Sequence, residues 1–526
     1  MTTLQLHTHN LKKIAEILAN EIEDGKIKSK SDLLKRKKIL AKQFSLKILP
    51  SNSQLFSFIK DKQKERVKKI FQRKPSRTLS GVAIIAVMTS PFPCPHGKCT
   101  PCPGGPPSTP QSYTGKEPAS LRAERNKFDA YKQVTDRLKQ LEIIGHPTDK
   151  IDLILMGGTF PARDTFYQRE FVKKCYDALN NSNSSCLEEA KRLNERAKRR
   201  CIGLTIETRP DWCRIWHIDL MLELGATRVE IGAQILDDKI LEKMERGHTV
   251  IDTIRATKLA KDAGLKVCYH IMPGLPGSDY KNDIHSFKKM FTDTNFMPDM
   301  LKIYPTLVVK GSKLYKEWKK GIYEPLKEED AIRLIAEMKK YVPEWVRIQR
   351  IERDIPSYMI EDGIKKSNLR QIVHEYMKEN DLKCRCIRCR EIGRVKNRIN
   401  EDLEIRKREY VASYGREIFL SIENDEAIVA YCRLRIPDRG YKEEMENASI
   451  VRELKVHGSM VEIGKRYDEG WQHRGYGKIL MEKAEEISLS FKKEKLLVLS
   501  GVGAKEYYRK LGYEDYSVYM KKDLID

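Results

Sequence analysis

Three cysteines lie close together on one loop, in the sequence CPHGKCTPCPGG from Cys94 to Gly105. The three, Cys94, Cys99 and Cys102, have the spacing C-x4-C-x2-C. They closely follow an apolar run, 81–88, that predicts a buried strand. Three thiolates can hold a [4Fe–4S] cluster and leave its fourth iron free for S-adenosylmethionine, whereas ferredoxins use four cysteines. The spacing therefore favours radical chemistry. A zinc knuckle that takes His96 or a distant cysteine as its fourth ligand is the alternative.

A second group of thiols lies far downstream, where His374, Cys384, Cys386 and Cys389 fall within 16 positions. Three cysteines and one histidine can close a tetrahedral zinc site, which would stabilise a linker between domains. A second iron–sulfur cluster, or reduced thiols without a metal, are the alternatives. We predict zinc.

The segments around the first cysteine loop alternate between strand and helix. Further strands are predicted at 151–156, 201–207, 227–231, 265–272 and 300–304. This alternation predicts a parallel sheet with right-handed crossovers, that is, a partial (β/α)6 barrel whose active site lies at the carboxyl ends of the strands. Candidate ligand-binding residues cluster at those ends: Gly157, Gly158, Thr159, Glu207, Arg209, Gln234, Lys302 and Tyr304. For the last two, ordinary packing at the barrel mouth is the alternative.

Antiparallel strands and a glycine motif replace this alternation after about residue 416. The motif, QHRGYG at 472–477, runs straight into a helix, so its backbone N–H groups and the positive end of the helix dipole can bind a pyrophosphate. With strands before it and the pair Tyr507 and Tyr508 after it, the segment indicates an acetyl-CoA-binding domain of the GNAT acetyltransferase type. A degenerate copy that only acts as a scaffold is the alternative.

The charge of the chain indicates a polyanionic partner. Of 526 residues, 99 are Lys or Arg and 75 are Asp or Glu, which gives a net charge of +24. Residues 1–75 hold 19 basic and 7 acidic residues around apolar positions at helical spacing. We therefore predict a small basic helical domain, and a nucleic acid ahead of an anionic membrane as the partner.

The cysteines and the N-terminal sequence indicate the cellular compartment in which the protein is expected. Twelve cysteines, six of them in two tight groups, do not form the pattern of a secreted disulfide framework. The N-terminal sequence lacks the apolar core of a signal peptide, and no apolar run reaches the ~18 residues of a membrane helix. We expect a cytoplasmic protein without membrane contact, whose thiols stay reduced.

These features together resemble one family, the catalytic subunit of Elongator, which modifies the wobble uridine of tRNA, and the chain is similar to its archaeal, stand-alone members. The resemblance covers nearly the whole chain. The shared segments are CTPCPGGP (99–106), QSYTG (111–115), LMGGTF (155–160), GLTIETRPDWC (203–213), RGHT (246–249), LKIYPTLVVKG (301–311), RDIP (353–356), SIVRELKVHG (449–458), QHRGYG (472–477) and SGVGAKEYYRKLGY (500–513).

The resemblance implies an α/β multidomain fold with a partial (β/α)6 radical S-adenosylmethionine barrel and a C-terminal GNAT domain. The implied domains are a basic helical tRNA-binding domain at 1–75, the barrel at 76–365, a Cys/His zinc-binding linker at 366–412 and the GNAT domain at 413–526. Two features depart from the family pattern. The first two cluster cysteines lie closer together than in eukaryotic members, and the cysteines at 384–389 resemble a prokaryotic feature.

The resemblance also implies a tRNA carboxymethyluridine synthase. S-adenosylmethionine, cleaved at the reduced cluster, gives a 5′-deoxyadenosyl radical that takes a hydrogen atom from the methyl of acetyl-CoA. The carbon radical adds to C5 of the wobble uridine, and loss of an electron and a proton with hydrolysis of the thioester leaves 5-carboxymethyluridine. The anticodon stem-loop of tRNA binds with its wobble base splayed out. The implied partners are tRNA and a reductant for the cluster, without other Elongator subunits.

The same resemblance assigns roles to the candidate residues. The cluster is held by Cys94, Cys99 and Cys102, and the strand-end residues bind S-adenosylmethionine, with the glycine pair at its amino group and Glu207 or Arg209 at its carboxylate or ribose. Lys302 and Tyr304 approach the substrate. Acetyl-CoA has a separate set: Lys150 on the barrel side, Glu453, Leu454 and Lys455 along the pantetheine, Gln472, Gly475, Tyr476 and Gly477 at the pyrophosphate, and Tyr507 beside the thioester.

Two other functions compete with this one. A protein lysine acetyltransferase would use the cluster only as a structural element, and a tRNA-binding scaffold would have lost its chemistry. The cluster's open iron and the glycine pair at 157–158 argue against the first. The intact cysteines and the intact glycine motif argue against the second.

Overall fold

The computed structural model describes residues 3–46, 48–71, 80–395, 402–458 and 475–525. Its first region is a bundle of four helices whose apolar stripes meet in one core around Leu18, Leu33 and Leu55. Ser29 begins the second helix with a reciprocal capping box to Asp32, which satisfies backbone N–H groups at the helix start. The helices are α1 (Thr3–Glu23), α2 (Lys30–Gln43), α3 (Asn52–Ser57) and α4 (Asp61–Phe71).

The second region is built on a parallel sheet of seven strands. The six strands predicted from the sequence are neighbours in chain order, and a seventh strand that was not predicted extends the sheet after the sixth. The strands of this region are β1 (Val82–Met88), β2 (Lys150–Met156), β3 (Arg200–Thr208), β4 (Arg228–Gln234), β5 (Lys266–Ile271), β6 (Met300–Ile303), the short β7 (Val308–Val309) and β8 (Arg347–Ile351). The sheet order β1-β2-β3-β4-β5-β6-β8 confirms the predicted partial barrel.

Helices between the strands cover the outer face of this sheet. Leu204, Ile206, Val229 and Ile231 pack there in the main core, so the alternate residues of the same strands face the inside of the barrel. The helices are α5 (Pro118–Arg125), α6 (Ala130–Ile143), α7 (Thr165–Asn180), α8 (Leu187–Asn194), α9 (Ile215–Glu223), α10 (Asp238–Lys243), α11 (Val250–Asp262), α12 (Tyr280–Thr292), α13 (Lys313–Lys319) and α14 (Glu328–Lys340). A connecting segment follows, with β9 (Ile360–Asp362), α15 (Leu369–Glu379) and α16 (Ile387–Arg390).

The C-terminal region is a second seven-stranded sheet, ordered β10-β11-β12-β13-β14-β16-β15. Its elements are β10 (Glu404–Ala412), β11 (Gly415–Glu423), β12 (Ile428–Ile436), β13 (Ala448–Val456), α17 (Tyr476–Ser490), β14 (Lys495–Val498), α18 (Lys505–Arg509), β15 (Glu514–Tyr516) and β16 (Tyr519–Asp523). The strand β10 lies inside the segment expected to be a linker. This strand forms the edge of the sheet, where charged side chains remain in water. Its charged sequence, EIRKREYVA, therefore resembles that of an exposed linker.

Buried ion pairs join the two sheets. Asp299, directly before β6, accepts from the guanidinium of Arg452 on β13 at 2.6 and 2.7 Å. The same guanidinium donates to Glu417 on β11 at 2.7 Å, and Lys261 from α11 reaches both carboxylates. These contacts fix the C-terminal sheet against the amino ends of the barrel strands. Among the described helices, none combines the length and the hydropathy that a membrane crossing requires.

Candidate active site

The three cysteines of the first loop line one cavity at the carboxyl ends of the barrel strands, which we call the cysteine cleft. Its volume is about 160 Å³. Each sulfur has a polar neighbour: the Thr159 hydroxyl lies 3.4 Å from Cys94, Arg246 Nη1 donates to Cys99 at 3.4 Å, and Gln111 Nε2 donates to Cys102 at 3.0 Å. Donors of this kind stabilise thiolates, the state of cysteine that binds metals.

A cluster fits these thiols better than a single ion does. Among the described residues, two groups of three ligand atoms lie within 4.8 Å of one another, and the thiols of the cysteine cleft are in neither group. A zinc ion needs its ligands that close, because Zn–S bonds are ~2.3 Å long. The histidine that the zinc alternative would use, His96, is close to one of these thiols: its Nε2 atom lies 3.0 Å from the Cys99 sulfur. The donor set and its wider spacing therefore fit a [4Fe–4S] cluster.

The glycine pair after β2 brings the backbone against the cysteine loop. Gly157 has φ +135°, and a Cβ there would lie 2.1 Å from the hydroxyl oxygen of Thr89. Gly158 has φ +88°, and its Cβ would lie 3.1 Å from a carbon of Gln111 and 3.6 Å from the Cys94 sulfur. Both positions therefore require glycine, for backbone conformation and for space.

The other strand-end residues predicted from the sequence converge on the same cleft. Its lining includes Gly158, Thr159, Glu207, Arg209, Gln234 and Tyr304. Gln234 has φ +66°, an uncommon conformation for a side chain other than glycine and one that often marks a functional site. Lys302 is buried beside the cleft, where its ammonium forms a salt bridge with Glu230 and lies 3.5 Å from Glu207.

Sequence reasoning missed several polar residues of the cleft. Glu230 is fully buried in the middle of β4, accepts from His270 at 2.8 Å and binds Lys302. A carboxylate between two apolar residues of a buried strand, Val229 and Ile231, was the available signal, since such a group is rarely buried without a function or a partner. Arg246 and Gln111 lie in shared segments, RGHT and QSYTG, but nothing in their local pattern indicated contact with sulfur.

Burial controls the protonation of these groups. It raises the pKa of the Cys94 and Cys102 thiols, and it raises the pKa of Tyr304 to about 12. Burial alone would also raise the pKa of Glu230, but the neighbouring Lys302 and His270 lower it below its usual range. Glu230 is therefore firmly ionised, while the cysteine thiols must lose protons when a metal binds.

A second cavity, which we call the interdomain pocket, lies between the C-terminal region and the amino ends of the barrel strands and has a volume of about 530 Å³. Its lining contains the described residues predicted for acetyl-CoA: Lys150, Glu453, Leu454, Lys455, Gly475, Tyr476, Gly477 and Tyr507. A Cβ on Gly477 would lie 2.4 Å from the Tyr507 hydroxyl, so the glycine permits close packing at the start of α17. Gln472 lies outside the described residues.

The two cavities therefore lie at opposite ends of the same barrel. On β2, for example, Lys150 and Asp152 line the interdomain pocket, whereas Met156 lines the cysteine cleft. A strand of this length spans ~20 Å, at ~3.3 Å per residue. The residues expected for acetyl-CoA and those expected for the cluster are thus separated by the depth of the barrel.

The downstream cysteines form a compact group of their own. The sulfurs of Cys384, Cys386 and Cys389 lie within 4.8 Å of one another, and Nε2 of His374 lies 3.9 Å from the Cys389 sulfur. Burial lowers the pKa of His374 to about 4, so its imidazole is neutral and able to bind a metal. Lys339 Nζ lies 3.2 Å from the same nitrogen. The donor set fits tetrahedral zinc, and zinc stays a prediction.

Known families match successive parts of the chain. Residues 11–79 match the ELP3 N-terminal domain and residues 92–288 the Radical SAM superfamily. Residues 298–379 match the Radical SAM C-terminal domain, and residues 387–513 the acetyltransferase (GNAT) family. The last match begins before β10, in agreement with the position of that strand.

Relatives match the chain over nearly its whole length. It is 52% identical over 489 residues to a tRNA uridine(34) acetyltransferase of Methanocaldococcus jannaschii, which covers 90% of each chain. It is 41% identical to Elongator complex protein 3 of Dictyostelium discoideum, over 98% of this chain and 95% of that one. The solved structure of the archaeal Methanocaldococcus infernus Elp3 with an N-terminal deletion is 47% identical, with a TM-score of 0.76 over 85% of this chain and 100% of that one.

Proposed function

The chain belongs to the family of the tRNA uridine(34) acetyltransferases and Elongator complex protein 3, and on that premise we propose that it makes 5-carboxymethyluridine at the wobble position of tRNA. The names of the relatives and the combination of radical SAM and GNAT domains support a transferase that modifies tRNA. That the product is 5-carboxymethyluridine goes beyond what these names state and is our proposal.

The observation that carries the proposal is that one barrel serves two cavities. The cysteine cleft combines three thiols with a glycine pair, and the interdomain pocket combines a GNAT-type glycine motif with a barrel lysine, Lys150. A protein lysine acetyltransferase would need only the second cavity. A reaction that joins a radical to an acetyl group needs both.

The chain's own residues hold and orient the reactants. Cys94, Cys99 and Cys102 would hold the cluster, with Arg246 and Gln111 stabilising two of the thiolates. Bound there, the cluster and S-adenosylmethionine supply a 5′-deoxyadenosyl radical that can remove a hydrogen atom from the methyl of acetyl-CoA.

Other residues of the cleft would bind the cofactor and the substrate. The backbone at the glycine pair and the side chains of Glu207 and Arg209 would bind S-adenosylmethionine, and their position in the cleft beside the thiols supports this role. Lys302 and Tyr304, at the same end of the barrel, would approach the uridine, and the contact with Glu230 keeps Lys302 charged.

The basic helical bundle and the rim of the barrel would bind the tRNA backbone. Residues 1–75 hold 19 Lys and Arg against 7 Asp and Glu, a balance that favours phosphate and makes the affinity fall with salt. The wobble base must leave the anticodon stack to reach the cysteine cleft. A reductant is required, other Elongator subunits are not, and zinc at Cys384–Cys389 is structural.

The proposal is tested under anaerobic conditions. The cluster is reconstituted, and dithionite, S-adenosylmethionine, acetyl-CoA and unmodified tRNA are added. The tRNA is then digested and analysed by mass spectrometry. We expect 5-carboxymethyluridine from the wild type and none from Cys99→Ser, because one missing thiolate leaves the cluster without a ligand. Cys186→Ser, at an exposed thiol away from both cavities, is the matched control and should retain the product.

Two other outcomes would contradict the proposal. If 5′-deoxyadenosine forms without a nucleoside product, the radical half is right and the acceptor is wrong. If neither forms although the cluster is spectroscopically intact, the cluster is structural and the chain is a protein acetyltransferase.

A further inference from the structure

The inside of the barrel is charged. In parallel barrels the inward-facing positions are usually filled by branched aliphatic side chains. Here β4 turns Arg228 and Glu230 inward, and β5 turns Lys266, Cys268 and His270 inward, while the alternate residues pack against the helices. Buried charges are costly unless they serve a function or are fully paired. The polar interior therefore calls for an explanation beyond folding.

A single layer of side chains separates the two cavities on β4. Arg228 lines the interdomain pocket and Glu230 lines the cysteine cleft, although the two residues are only ~7 Å apart along the strand. Nε of Arg228 lies 3.5 Å from Oε1 of Glu230. On β2, β3 and β5 the nearest lining residues of the two cavities are four positions apart, so this ion pair is the thinnest part of the wall between them.

Several polar atoms in this layer lack hydrogen bonds within the described part of the chain. They are the hydroxyl oxygen of Thr205 on β3, Nε of Arg228 and Oε1 of Glu230. Leaving a buried polar group unsatisfied costs ~1–3 kcal/mol. A hydroxyl and a guanidinium nitrogen are the donors that a guest carbonyl oxygen would accept from. These side chains can therefore form hydrogen bonds with a polar group of a ligand that enters the barrel.

The barrel packs against the C-terminal region. The amino ends of its strands are held against the C-terminal region by the buried network of Asp299, Glu417, Arg452 and Lys261. At the entrance to the barrel the side chains leave space. Gly203 occupies the inward position before Thr205, lines the interdomain pocket and has no side chain to fill it. A Cβ on Gly203 would already lie 3.2 Å from an oxygen of Asp152.

We propose that the acetyl-bearing arm of acetyl-CoA reaches the cysteine cleft through the inside of the barrel, past the Arg228–Glu230 pair. Thr205 and Arg228 are positioning residues that donate to the thioester carbonyl while the pair separates. This inference rests on the proposed function, because it states how the acetyl group bound at one end meets the radical formed at the other.

A buried thiol on the path allows a test that does not depend on turnover. Cys268 lies on β5 between Lys266, which lines the interdomain pocket, and His270, which lines the cysteine cleft. Bromoacetyl-CoA carries a leaving group on the carbon that corresponds to the acetyl methyl. If the arm enters the barrel, the Cys268 sulfur displaces bromide, forms a C–S bond and releases its proton to solvent. Peptide mass spectrometry locates the adduct.

The labelling uses iron-free protein at alkaline pH, because burial raises the pKa of Cys268 well above its usual value. We expect an adduct on Cys268 that free CoA competes away. Ala504→Cys, in the lining of the pocket but outside the residues assigned to acetyl-CoA, is the positive control for binding. Labelling of that cysteine without any labelling of Cys268 would overturn the proposal.

A second test uses a substitution that narrows the inside of the barrel and measures hydrogen transfer from the acetyl methyl. Thr205→Leu places an apolar side chain on the path, whereas Thr205→Ser keeps the hydroxyl and removes a methyl. With trideuteroacetyl-CoA, deuterium in 5′-deoxyadenosine reports that the methyl has met the radical, whatever the final acceptor. We expect Thr205→Leu to lower this transfer by ~10²-fold, the effect of a misplaced reacting carbon, and Thr205→Ser to retain it.

The outcomes separate this inference from the proposed function. Unchanged deuterium transfer in Thr205→Leu overturns the passage even if the nucleoside product forms. No deuterium transfer in the wild type contradicts the proposed function, while the Cys268 adduct still decides whether the arm enters the barrel. If Thr205→Leu does not fold, the labelling of the wild-type protein decides alone.

Discussion

The two ends of the barrel carry similar charged residues and use them differently. At the amino ends of the strands, Asp299 accepts two hydrogen bonds from Arg452 and one from the backbone of Val267, and Lys261 lies 3.3 Å away. At the carboxyl ends, the groups around the cysteine cleft face open space, the backbone adopts positive φ, and free thiols accept hydrogen bonds.

The difference separates the buried network around Asp299, which we call the structural end although the interdomain pocket adjoins it, from the cysteine cleft, which we call the reactive end. In the buried network each charged group has an oppositely charged partner, which offsets part of the cost of burial and holds two domains in one orientation. A cleft with partly satisfied groups and strained backbone lowers stability, and it leaves the donors and acceptors that ligands require. The two ends therefore predict different responses to substitution, large in stability at one end and in binding at the other.

The strongest test of the structural end is Asp299→Asn. The change keeps the size of the side chain but leaves the buried cations of Arg452 and Lys261 without their shared carboxylate. Breaking a buried ion pair from one side costs ~3–5 kcal/mol, and we expect a loss of that size in the free energy of unfolding, measured with urea.

The matched control for this variant is Asp330→Asn. Asp330 pairs with Arg333 at 2.8 Å, but its side chain is 47% exposed. Surface pairs of this kind contribute ~0–1 kcal/mol. Equal losses in the two variants would contradict the assignment of the amino end as the structural end.

The next test uses the pH dependence of Glu453, which lies on β13 at the boundary of the interdomain pocket. Burial alone would raise the pKa of Glu453, but Arg433, Lys266 and Lys455 lower it to about 2, from 4.5 in an unperturbed glutamate. The stabilisation is therefore present above pH 4.5 and is lost as the pH falls towards 2. A shift of this size corresponds to ~3 kcal/mol.

Glu453→Gln should thus destabilise the protein by ~3 kcal/mol near neutral pH, and its deficit against the wild type should shrink below pH 4.5. Urea unfolding of the iron-free protein at several pH values measures both quantities. Glu404→Gln, at a side chain that is 62% exposed, should differ from the wild type by less than ~1 kcal/mol at every pH. A deficit for Glu453→Gln that does not change with pH would remove the charge explanation.

The sequence predicted what local patterns specify. The apolar run of β1, the cysteine spacing after it and the glycine pair after β2 all lie within short segments, so the reactive end could be placed before the fold was known. Parallel topology then brought Glu207, Gln234 and Tyr304 to the same cleft, because the carboxyl ends of parallel strands share one edge.

Long-range partners were not predictable in this way. Asp299 and Arg452 are 153 positions apart, and neither has a local pattern that names the other. The strand β8 was missed because its sequence, RIQRI, is polar, as suits a strand at the edge of the barrel sheet. The separation of the two cavities also escaped prediction, since it depends on which end of the barrel the C-terminal sheet packs against.

The smallest expected effect on stability tests the reactive end through two glycines. Gly157 and Gly97 both have positive φ, +135° and +90°, so an alanine at either position carries backbone strain of ~1 kcal/mol. They differ in space, because a Cβ at Gly157 would lie 2.1 Å from Thr89, whereas nothing lies within 4 Å of a Cβ at Gly97. We expect Gly157→Ala to lose ~1–3 kcal/mol and Gly97→Ala to lose less.

Binding of S-adenosylmethionine should separate the two variants further. The alanine at 157 must push the backbone away from Thr89, and with it the adjacent Gly158, which packs against Cys94 and Gln111. We therefore expect Gly157→Ala to weaken cofactor binding to the reconstituted protein, measured by equilibrium dialysis, and Gly97→Ala to leave it close to the wild-type value. If both variants bind equally well, close backbone approach is not what the glycine pair supplies, and the reactive end depends on its side chains alone.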